Sequence, residues 1–157
     1  MIWTLTDQQT IRPIDENNER LFPQLQKEVE VHDLPSLIGF EFYQELKRNE
    51  GDYELLLSGG EYTYNDLTYS FNGLKYVCAF LLYARYIRQS SVNDTFSGFV
   101  YHSADNMQRL SSNEIVNLEN RYKEIAATEW GSCQHYLKST EEPPTDLTSK
   151  PAINWWV

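Results

Sequence analysis

Two cysteines and three histidines are all the thiol and imidazole this 157-residue chain offers, and thirteen basic residues are all it offers to phosphate. A disulfide framework needs more thiols than Cys78 and Cys133. Both fall on apolar faces of predicted helices, where buried free thiols are the usual state. His32, His102 and His135 share no metal spacing, and Cys133–His135 is a lone C-x-H without a second pair to complete a zinc site. Gly59-Gly60 lacks the Lys-Ser/Thr of a phosphate-binding loop and the remainder of a dinucleotide fingerprint. No nucleophile elbow, metalloprotease or calcium-loop pattern occurs. Glu41 and Glu45 lie four apart and could clasp a cation, but on so acidic a chain they read as a solvated face. No catalytic, cofactor or metal residue is assigned, and nothing in the chain argues for an enzyme. Basic residues are outnumbered 13 to 23, for a net charge of −10. Between Asp15 and Glu54 eleven acids face four bases, a surface that repels nucleic-acid phosphates. No apolar run approaches the roughly twenty residues of a membrane span. Met1-Ile2-Trp3-Thr4 lacks the basic start and apolar run of an export signal, so residence in a reducing cytoplasm is expected.

What the chain does have is apolar and aromatic: 41% hydrophobic residues, eleven tyrosines and four tryptophans. Aromatics with a polar tip suit interfaces, and they equally suit an aromatic-rich core. The organising stretch is Asn72–Ser90 (NGLKYVCAFLLYARYIRQS). Apolar residues there fall on every side of a helical wheel, which predicts a central helix touched all round. The expected fold is mainly α, a small helical bundle around that helix, with one β-hairpin and extended arms at both termini.

Around the central helix the chain divides into three parts. Residues 1–14 alternate without helical period and meet Pro13. They read as an extended arm anchored elsewhere through Trp3 and Ile11, or as a disordered terminus. Residues 15–139 form the helical domain. Its first helix is expected within Glu16–His32, capped by Asp15, with Pro23 forcing a late start or a bend. Pro35 and Gly39 make a corner before a helix over Phe40–Arg48, and Asp52 is placed to cap a short helix ending at Gly59-Gly60. Residues 61–71 change period to two. With Asn65-Asp66 as the loop, Tyr62 faces Tyr69 and Tyr64 faces Leu67. Such a ribbon must lean on the bundle or on another chain. In the loop of about residues 92–103, Phe96–His102 is β-prone through Phe99 and Tyr101. It either pairs with another copy or lies over its own core. Ser111 and Glu114 offer a capping box to a long final helix of about seven turns. Residues 140–157 are a Pro-containing linker ending in Trp155-Trp156, which dock on this chain or another, or hang free.

Three of these stretches carry a resemblance. Asp33–Leu46 (DLPSLIGFEFYQEL) resembles the L-x-x-L-I/L-G-x-x-F/L-Y-x-x-L corner of phage head–tail connector proteins. Asp52–Tyr62 (DYELLLSGGEY) resembles their short Leu-rich helix with a Gly-Gly end. Phe71–Lys75 (FNGLK), continuing to Tyr83–Ile87 (YARYI), is similar to their central helix. Ser97–Val100 and the long final helix follow in the same order. The resemblance spans about residues 15–138 and is nearest to the versions in Bacteroides-type and crAss-like phages.

The resemblance implies a virion head-completion or adaptor subunit, synthesised in the host cytoplasm and placed at the head–tail junction. It implies a homo-oligomeric ring, expected to be dodecameric, that joins portal to tail and helps retain the packaged genome. DNA would pass through the ring without sequence-specific binding. The partners would be further copies, the portal protein and other tail or connector proteins, with no membrane and no cofactor. The residues expected at protein interfaces are Trp3, Ile11, Tyr62, Tyr64, Tyr69, Phe99, Tyr101, Trp155 and Trp156. The alternative is a soluble cellular protein-interaction module, or a small-ligand module whose pocket Tyr62, Tyr64 and Tyr69 would surround.

Overall fold

Leu74–Ser90 forms a helix (α6) whose Leu74, Val77, Cys78, Leu81 and Leu82 are buried, as are Ala79, Phe80, Ala84 and Tyr86 on its other sides. It is the axis of the domain, packed most extensively against the 28-residue α7 (Ser112–Ser139). The computed structural model describes residues 2–90 and 111–140. The loop 92–103, with Phe99 and Tyr101, and the tail carrying Trp155 and Trp156 lie outside the described residues.

α7 begins as its sequence predicts. The Ser111 hydroxyl accepts the Glu114 N–H, and the Glu114 carboxylate accepts the Ser111 N–H at 2.7 Å. Ile115, Glu119, Ala126, Trp130, Cys133 and Leu137 line its buried face at spacings that keep one stripe inward. Glu119 is tolerated there because Lys123, one turn on, donates to it at 2.6 Å.

The N-terminal stretch differs from the extended arm expected of it. Leu5–Ile11 is a helix (α1), started by a second capping box in which Thr4 and Asp7 exchange hydrogen bonds. Trp3 is fully buried in the chain's own core, edge-on to Phe22 at 6.5 Å. Polar side chains tie the segment down. Gln8, also fully buried, donates to the Ala79 carbonyl of α6, and Gln26 donates to the Trp3 carbonyl at 2.7 Å. Arg12 lies over the Tyr83 ring at 4.3 Å and donates to the Tyr122 hydroxyl at 2.6 Å, joining α6 to α7.

The expected first helix is likewise broken into pieces. Asp15 caps a 3₁₀ turn over Glu16–Leu21, and α2 (Phe22–Glu28) follows with Pro23 in its first turn, where a missing N–H costs nothing. A π turn over Val29–Asp33 then leads directly into α3 (Leu34–Ile38), so Pro35 sits in a helical first turn and the corner comes at Gly39, with φ +93°. Arg85 of α6 holds this junction. It clasps both Asp33 oxygens and donates to Glu28 at 2.8 Å. These contacts hold its pKa above the ordinary arginine value, led by the hydrogen bonds it donates to Asp33.

α4 (Phe40–Arg48) buries Phe42, Tyr43 and Leu46 as expected. α5 (Glu54–Ser58) starts after a 3₁₀ turn over Glu50–Tyr53 and has no side-chain cap, so Asp52 does not cap it. The hairpin of β1 (Gly60–Tyr64) and β2 (Leu67–Phe71) has the expected register, Tyr62 opposite Tyr69 and Tyr64 opposite Leu67. Asn65 and Asp66 both take positive φ, the requirement of a two-residue turn matched to strand twist. At the other end the strands close on a neck of bare backbone. Gly59 abuts the backbone of Phe71 and Asn72, and Gly73 abuts that of Leu57, Ser58 and Gly59.

Candidate interaction surface

The hairpin stands on the last turns of α7. At the base, Asn72 donates to Glu129 at 3.0 Å, and Phe71 stacks on Tyr136 with ring centres 4.8 Å apart. Next comes the cross-strand pair Tyr62 and Tyr69, stacked at 5.5 Å, with the His135 ring 4.9 Å from Tyr69. The Tyr62 hydroxyl and His135 Nδ1 are hydrogen-bonded. Burial, then the neighbouring Tyr69 and Cys133, raise the Tyr62 pKa above the ordinary tyrosine value. Last, at the turn, stand Tyr64 and Leu67. Tyr64 touches His135 edge-on at 5.6 Å, yet the pair remains 37% and 59% exposed.

Alternation places these side chains on one face because successive strand residues point to opposite sides. The helix supplies the rest of the cluster through two neighbouring residues, His135 and Tyr136. Of the residues expected at interfaces, Tyr62, Tyr64 and Tyr69 are therefore brought together. Trp3 is not available: it is fully buried core, its ring edge-on to Phe22. Ile11 is half-buried against the same core. Both readings are corrected for one reason, that the N-terminal segment folds back as a capped helix. Leu67 shares the face as the hairpin pattern implies, whereas His135 and Tyr136 join the cluster without having been expected there. Only the run of aromatics near the end of α7 hinted at the latter two.

Elsewhere on the surface, Phe40 is 65% exposed beside Glu41, Gln44 and Glu45 on α4. Glu45 accepts the Tyr53 hydroxyl at 2.8 Å, so that carboxylate is engaged in the fold itself. A groove between α6 and α7 is lined by Glu28, Arg85, Arg88, Glu119 and Lys123, charges that largely satisfy one another. Cys78 and Cys133 are free and buried. Burial pushes the Cys78 thiol well up and the Cys133 thiol to about 12, which leaves both un-ionised at neutral pH. Among the described residues no group of three or more His, Cys, Asp or Glu is placed to hold a metal ion, and no helix is long and apolar enough to cross a membrane.

No curated protein and no solved structure matches the chain. Residues 34–152, from α3 through the hairpin and α7 and beyond, match the model of one family, and the chain belongs to that family of unknown function, DUF6712.

Proposed function

We propose that the chain is a structural connector subunit, one copy of a ring that joins a phage portal to the tail and helps retain the packaged genome. The observation that carries this reading is the aromatic hairpin raised on an otherwise closed helical domain. Each of its two strands has an outer edge without a strand partner among the described residues, and Tyr64 and Leu67 face outward at its tip. An unpaired edge beside an apolar tip is what a neighbouring chain can add to, through main-chain hydrogen bonds and a side-chain pocket. The acidic balance of the chain suits a channel wall that packaged DNA passes without sticking. The order of corner, short helix, hairpin, central helix and long final helix supports the same reading.

Small-ligand binding between the tyrosines is the weaker reading. The Tyr62 and Tyr69 rings stack on each other and are closed by His135, so the space between them is filled by protein.

Mixing the purified chain with its cognate portal and imaging the product tests the connector reading. A ring beneath the portal is expected, and a Tyr64→Ser/Leu67→Asp variant should lose ring formation while keeping its helical circular dichroism. A chain that stays dispersed beside an intact portal refutes it.

A further inference from the structure

The hairpin and α7 build a ladder with two filled rungs and one open one. Phe71 has Tyr136 opposite it, and the Tyr62–Tyr69 pair has His135. Tyr64 and Leu67 form the third rung, and α7 stops at Ser139 without placing a side chain over Leu67 among the described residues. Thr140 follows five residues after His135, about 7 Å further along the helix direction. α7 therefore ends within about two turns of His135, which touches Tyr64 edge-on at 5.6 Å. Fifteen residues after Thr140 the sequence reads Trp155-Trp156, flanked by Ile153 and Val157.

We propose that the segment Ile153–Val157 of the same chain docks its tryptophans on the Tyr64–Leu67 rung. A random-coil tether of fifteen residues would span about 20 Å end to end. Tyr64 lies 5.6 Å from His135, which is itself about 7 Å along the helix from the start of the tether, so the rung falls inside that reach. The effective concentration is then in the millimolar range, far above that of a second copy in dilute solution. Aromatic and leucine side chains at the rung match indole in chemistry, and large apolar rings left in water supply the drive. The inference rests on the open rung and the tether, not on the connector reading. If a partner also takes the hairpin, it must displace the tryptophans to do so.

Trp3 and Trp130 are buried, so quenching by acrylamide selects Trp155 and Trp156 in the full chain. The unmodified chain is expected to be shielded, and Leu67→Asp, at an exposed position, to become more accessible with unchanged circular dichroism. With methyl-labelled leucine, the Leu67 signals should be shifted upfield by indole ring current. That shift should persist on dilution and vanish in a Trp155→Ala/Trp156→Ala variant. Equal quenching of the unmodified and Leu67→Asp chains overturns the proposal, as does a Leu67 shift that survives loss of both tryptophans. A shift that fades on dilution also overturns it, assigning the rung to a second copy. None of these readouts needs a portal, so their failure leaves the connector reading standing. A chain that docks its own tryptophans yet builds no ring overturns only that reading.

Discussion

Trp3 shows how much one side chain decides here. An indole on a free arm would be replaceable, whereas this one is fully enclosed in the core against Phe22. Trp3→Ala is expected to destabilise the domain by about 3–5 kcal/mol, the usual cost of emptying a large aromatic site. Urea denaturation followed by circular dichroism measures it, and a change near zero would return the segment to the status of an arm. Arg12 acts at the same scale with different chemistry. Its guanidinium is held between the Tyr83 and Tyr122 rings, so charge, ring face and hydroxyl converge on one group. His135 and Tyr136 matter in the same way: two adjacent side chains each complete a different rung of the hairpin.

Among the elements, the hairpin depends on its neck as much as on its rings. Gly59 and Gly73 both take positive φ, and a β-carbon on either would run into backbone of the other strand end. Gly73→Ala should therefore cost about 2–5 kcal/mol, combining left-handed strain with an overpacked contact. Gly131→Ala is the control: that site in α7 is exposed with open space around it, so a gain of about 0.5–1 kcal/mol is expected. Thermal melts of the two variants should move in opposite directions. The hairpin was legible in the sequence because alternation and the Asn65-Asp66 turn fix its register locally. α6 and the capping box of α7 were legible for similar reasons, in composition and in spacing. α1 was not, because seven residues carry too short a period and its ties are polar groups, Gln8, Arg12 and Asp7, that meet partners far along the chain. The π turn before Pro35 escaped too, since Arg85 holds that junction from another helix. At the candidate site, Tyr62, Tyr64 and Tyr69 could be read from the strand pattern. The part played by His135 could not, because it depends on where α7 comes to lie.

At the scale of the whole molecule, the core carries its own dependence on pH. Cys78 and Cys133 sit at the contact of α6 and α7, and burial raises both thiols, Cys133 from 9.0 to about 12. The unfolded chain releases these protons near pH 9 while the folded chain keeps them. Stability is thus fully present below pH 9 and falls as the pH rises from there toward about 12. Urea midpoints taken across that range should decline, and a Cys78→Ala/Cys133→Ala variant should show a shallower decline. The fold has a temporal side as well. Gln8 reaches Ala79, 71 positions away, and Arg12 reaches Tyr122, 110 positions away. Translation delivers α1 well before α6 and the first turns of α7, so the ties of Gln8 to Ala79 and of Arg12 to Tyr122 form only after a long delay. Trp3 meets Phe22 and Gln26 early, but the polar ties that join α1 to α6 and α7 wait for distant chain, the kind of non-local contact that slows folding.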